Sequence, residues 1–98
     1  MDMKTEYQQE IIHKIRQLRQ EHNTSQSAIA TLLGISPGQV GNIESFRTGH
    51  KYTLKHIKAI CDEFKYPVDR IFISDDDYSG DTDIISLLIT NIINYEES

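Results

Sequence analysis

Residues 25–45 read SQSAIATLLGISPGQVGNIES, and the fold follows from this stretch. Ser25 can cap a helix over Gln26–Leu33, because its hydroxyl accepts the amide hydrogen bonds that a first helical turn leaves unmade. Ile29, Leu32 and Leu33 form that helix's apolar face. Gly34 stops it, since glycine enters the left-handed conformation that closes helices without a Cβ clash. Ser36-Pro37 then supplies a second hydroxyl cap with proline at the first helical position. A second short helix therefore starts almost at once, carries Val40 and Ile43 inward and runs to about Ser45.

The flanks continue the pattern. Tyr7, Ile11, Ile15 and Leu18 recur at helical spacing, which predicts a first amphipathic helix over residues 7–22 with Lys14, Arg16 and Arg19 off its apolar stripe. Asn23-Thr24-Ser25 is a turn. Residues 47–51 are a polar loop, and Thr53 caps a fourth helix whose Leu54, Ile57, Ile60, Cys61 and Phe64 repeat at three and four. Pro67 opens a final single turn to Phe72. The expectation is an all-α domain of five helices over residues 5–72, followed by an exposed acidic linker at 73–80 and a C-terminal apolar segment at 81–98, capped by Asp81 or Thr82.

The net charge of −5 hides a division along the chain. Up to Phe72, ten Lys and Arg stand against eight Asp and Glu, a net of +2, and the rest carries seven acids and no base. The basic part is suited to a polyanion. No secretory signal or apolar run of bilayer length occurs, so the chain is expected to be soluble and cytoplasmic. Cys61 lies on an apolar helix face and reads as a small buried hydrophobe. His13, His22, His50 and His56 do not combine with it or with a carboxylate into metal-ligand spacing, so neither metal nor cofactor is expected. No nucleophile and base set or phosphate loop points to an enzyme.

Two helices joined by a tight glycine turn form the unit that places its second helix in the DNA major groove. Residues 25–45 resemble the phage repressor and Cro family of helix-turn-helix regulators, also called the Xre type. The resemblance rests on Gln26 opening the second helix, Ala30 where two helices touch, Gly34 in the turn, Val40 and Ile43 inward, and Glu44 closing the reading helix. It extends over roughly residues 9–72, through IRQLRQ in the first helix and TLKHIKAICDEFKYPVDRIF after the loop. It implies a lambda-repressor-like fold and binding of double-stranded DNA by a transcription regulator, with repression favoured over activation.

It also implies site residues. Gln26 matches a glutamine that touches DNA or braces the reading helix, and Arg19 and Glu44 match a pair that forms a structural salt bridge. On the reading helix, Gln39 and Asn42 carry the amides that can make a two-bond contact to adenine. Pro37, Gly38 and Gly41 stand where many relatives carry longer polar or basic side chains, so specificity is expected to lean also on Ser36, on DNA shape and on the loop. Arg47, Lys51, Tyr52 and Lys55 are the candidates for phosphate contact.

The last segment packs seven isoleucines and leucines into residues 84–93. A helix this apolar cannot face water all round. Pairing into a homodimer is favoured over packing on its own domain, with the acidic linker letting the segment extend, and a β-strand is an alternative for so much isoleucine. A different reading makes residues 73–98 an antitoxin-like surface that captures a protein partner.

Overall fold

The computed structural model describes residues 3–80 and 83–97, and among these every regular element is a helix. The elements are α1 (Glu6–Glu21), α2 (Gln26–Leu33), α3 (Pro37–Glu44), α4 (Leu54–Phe64), α5 (Asp69–Phe72), α6 (Asp75–Tyr78) and α7 (Ile84–Glu96). The fold is the lambda-repressor-like arrangement of α1–α5, with two further helices after it.

The longer helices start where a side chain can replace the missing backbone acceptor, whereas α5 follows Val68 with no side-chain cap. Thr5 accepts from the Gln8 amide at 3.1 Å while the Gln8 side chain accepts from the Thr5 amide at 3.0 Å. The same reciprocal box joins Ser36 to Gln39 and Thr53 to His56. Ser25 caps α2 through the Ala28 amide at 3.0 Å. Gly34 ends α2 at φ 71°, and the Ile35 amide turns back to the Ala30 carbonyl at 3.0 Å.

The core lies where α1–α5 converge: Ile11 and Ile15 of α1, Ile29 and Ala30 of α2, Val40 of α3, Ile57, Ile60 and Cys61 of α4, and Ile71 of α5 are each at most 2% exposed. Every isoleucine buried this way stabilises the fold by roughly 1.5–3 kcal/mol. Cys61 is part of that core, and burial pushes its thiol up to about 11, with Asp62 adding to the shift. It is a packing residue.

Two expectations for the C-terminal part are revised in detail. The stretch read as an exposed linker contains α6, a one-turn helix in which the Ser74 amide and hydroxyl both donate to Asp77. This turn is also bonded back to α5: Asp75 accepts from Arg70 at 3.1 Å, and the Tyr78 hydroxyl donates to Asp69. Ile73, just before it, is 2% exposed.

The last segment is a helix and not a strand, and it does not extend away. It is capped by Asp83, which accepts from the Ser86 amide at 3.2 Å; the expected caps, Asp81 and Thr82, lie outside the described residues. Asn91 donates to the Phe72 carbonyl at 2.7 Å, and Tyr95 is fully buried among α1, α5 and the residues before α4. On the other side Ile85, Ile89 and Ile93 stand 72%, 54% and 48% exposed at a spacing of four. One face is docked and one is open.

Candidate nucleic-acid interface

The turn between α2 and α3 gives α3 its exposed side. Val40 and Ile43 point into the core, which leaves Ser36, Pro37, Gly38, Gln39 and Asn42 facing outward. The Asn42 amide makes no hydrogen bond among the described residues. Gln39 spends its side-chain oxygen on the Ser36 amide at 3.0 Å, which leaves its NH2 as a donor. Both line a cleft of 140 Å³ with His50, Lys51 and His56, contributed by the loop and by the start of α4. The two histidines carried no signal of a site in the sequence. They line this cleft with α3, His50 because the loop runs beside α3 and His56 because it sits in the first turn of α4.

The glycines of α3 are not demanded by packing. A Cβ at Gly38 would approach nothing nearer than the Ser36 hydroxyl at 3.8 Å, and one at Gly41 nothing nearer than the Gln26 side-chain oxygen at 3.7 Å. Each costs helix stability relative to alanine.

Behind the exposed face, one carboxylate holds the unit together. Glu44, 9% exposed, accepts from Arg19 Nε at 3.1 Å and Nη2 at 2.8 Å, from the Tyr52 hydroxyl at 2.8 Å and from Gln26 Nε2 at 3.1 Å. These bonds occupy the lone-pair directions of both oxygens. Burial alone would raise its pKa, but hydrogen bonds from Arg19, Tyr52 and Gln26, together with the Arg19 charge, outweigh burial and hold it below the ordinary value. Arg19 also donates to the Thr24 carbonyl at 2.8 Å, so α1, the turn before α2, and the end of α3 are joined by this pair.

Gln26 therefore braces the end of α3. A carboxylate can only accept, so the NH2 of Gln26 faces Glu44 and its oxygen is left as a potential acceptor. Arg47 and Lys55 are exposed and make no ion pair among the described residues. Tyr52 is a correction: it is 0% exposed and its hydroxyl is committed to Glu44, so it cannot reach a phosphate. Lys51 is also turned inward, donating to the Tyr95 and Glu96 carbonyls at 3.0 and 2.8 Å, where its charge meets the negative end of α7.

Among the described residues no group of His, Cys, Asp and Glu could hold a metal ion, and no helix is long and apolar enough to cross a membrane. The family described as Helix-turn-helix matches residues 15–71, more than half of the chain. No curated protein and no solved structure matches it.

Proposed function

The chain belongs to the helix-turn-helix family of DNA-binding domains, and from that premise we propose that it binds a specific double-stranded DNA sequence through α3 and regulates transcription there, in the cytoplasm, as a homodimer and with repression favoured. The observation that carries this reading is the pair of amides, Gln39 and Asn42, on the exposed face of a helix whose opposite side is fixed by Glu44 and Arg19.

In the complex, the amino-terminal turn of α3 enters the major groove. Asn42 presents a donor and an acceptor to adenine; Gln39 does so after releasing the Ser36 amide, or donates with its free NH2 alone. Gly38 and Gly41 let the backbone approach the base edges, and Ser36 stands at the tip. Arg47 and Lys55 contact phosphates, and His50 is placed to join them, so these residues supply affinity and the amides supply discrimination.

A two-fold operator calls for a two-fold protein. The open stripe of Ile85, Ile89 and Ile93 is assigned to a second copy of the chain, because residues 84–95 carry no charge and two such helices meet without repulsion. Three half-exposed isoleucines offer on the order of 300 Å² per protomer, against ~800 Å² per partner in a stable interface. The free dimer is therefore weak and is completed on adjacent half-sites. Selection of bound duplexes from a random pool tests the reading: a two-fold sequence supports it, and an absence of enrichment contradicts it.

A further inference from the structure

The last helix lies beyond the residues that match the family, yet it is bonded into the interface. Tyr95 is 0% exposed; its hydroxyl donates to the Tyr52 carbonyl at 2.6 Å, and its ring meets Phe72 edge-on at 5.9 Å between centroids. Its own carbonyl accepts from Gln8 at 2.8 Å and from Lys51 at 3.0 Å. Tyr52 passes the contact on, because its hydroxyl is one of the donors on Glu44. Tyr95, Tyr52 and Glu44 thus form one buried path from α7 to the end of α3.

We propose that Tyr95 is a positioning residue for DNA binding: docking of α7 through Tyr95 fixes Tyr52, Tyr52 orients Glu44, and Glu44 holds α3 and Gln26 in the attitude that reads the groove. This rests on the reading of α3 as the DNA-contacting helix. The physical reason is the loop at residues 45–53, which has no regular structure to define its path. Its first half is tied by Lys4, whose ammonium donates to the Ser45 and Thr48 carbonyls. Its second half is tied by Lys51 and by the Tyr95 hydroxyl, both to α7. Lys51 keeps its bonds to main-chain carbonyls without the Tyr95 hydroxyl, but Tyr52 then loses the bond to its own carbonyl and can move, and a drift of a few tenths of an ångström takes its bond to Glu44 beyond the usual hydrogen-bond range. The affinity of α3 for a chosen sequence then falls while phosphate attraction stays.

The test uses the full chain with Tyr95→Phe, which keeps the ring and removes the hydroxyl, beside Asn91→Ala, which removes another docking bond of α7 that is not on the path. Amide hydrogen exchange is measured without DNA, and affinity is measured for the selected duplex and for a random one. In Y95F, faster exchange at Ile43 and Glu44 than in N91A is expected, with about fivefold weaker binding to the selected duplex, the worth of one hydrogen bond, and little change on random DNA. Exchange or discrimination equal to that of N91A overturns the proposal. So does tighter binding, which would mean that α7 withholds Lys51 from phosphate. If the unaltered chain prefers no duplex, the DNA reading itself fails and the proposal falls with it; if that preference is intact and Y95F is silent, only the proposal falls.

Discussion

Arg19 and Glu44 meet through two parallel N–H···O bonds, Nε to Oε2 at 3.1 Å and Nη2 to Oε1 at 2.8 Å. Arg19 is 7% exposed and Glu44 9%, so neither charge has water to fall back on. Removing one partner from a buried pair costs about 3–5 kcal/mol. Urea unfolding of Arg19→Ala and Glu44→Gln at neutral pH should show losses of that size, and a loss under about 1 kcal/mol would mean the pair is effectively solvated. Because the Glu44 pKa is depressed in the fold, its contribution is complete above the ordinary carboxylate value near 4.3 and disappears as pH falls through the lower folded value. Glu44→Gln should lack that acid-side decline.

Gly38 and Gly41 sit in helical backbone with room for a Cβ. Alanine at either should raise stability by roughly 0.5–1 kcal/mol, read as a higher thermal midpoint, and should weaken binding to the selected duplex. Gly34 is the control. Its φ of 71° makes alanine strained there, so Gly34→Ala should lower the midpoint.

His56 completes the cap of α4 by accepting the Thr53 amide on Nδ1 at 3.2 Å. Burial, and then the neighbouring Lys55, hold its pKa below the ordinary value. A proton on Nδ1 would end that bond and place a cation at the positive end of a helix. The stabilisation is therefore complete above about pH 6.5 and lost as pH falls through the lower folded pKa. His56→Gln, which keeps a capping side chain, should flatten the drop in thermal midpoint on acidification; an unchanged profile would show that the ring does not carry it.

Ile89 is the centre of the open stripe on α7. In a self-paired helix, Ile89→Asp sets two like charges against each other, so sedimentation at high concentration should report a monomer that unfolds at a midpoint close to that of the unaltered chain. Binding to a two-half-site duplex should weaken far more than binding to a single half-site. Equal masses with and without the substitution would remove the second copy from this surface and leave it to a different protein partner.

The parts of the fold set by neighbours in the chain were readable from the sequence. Ser25, Gly34 and Ser36-Pro37 mark the ends of α2 and α3 by local chemistry, and the spacing of Ile57, Ile60 and Cys61 marks the buried side of α4. The parts set by distant residues were not. Tyr52 follows Lys51 in a polar loop and resembles a surface tyrosine, but its burial depends on Glu44 and on Tyr95, 43 positions away. Lys51 was legible as a cation and not as a partner of the α7 carbonyls. The apolar character of α7 was plain, whereas the choice of its docked face, which packs Ile84, Leu87, Leu88 and Ile92 against the core and buries Tyr95 fully, depends on distant partners that a count of isoleucines passes over. Three consecutive aspartates suggested an open linker, and the bond of Ser74 to Asp77 shows why they turn.

The most direct measurement is a titration of the purified chain into its selected duplex and into random duplex at several salt concentrations, with Asn42→Ala and Gln39→Glu alongside. Arg47 and Lys55 in each of two protomers set a slope of log affinity against log salt of about −4. Asn42→Ala should cost about 1–3 kcal/mol on the selected duplex and almost nothing on random DNA. Gln39→Glu, which keeps an acceptor for the Ser36 cap, should lose the same discrimination without losing stability. Unchanged preference in both variants, or no retention of DNA by the unaltered chain at low salt, would contradict the assignment of α3 as the reading helix.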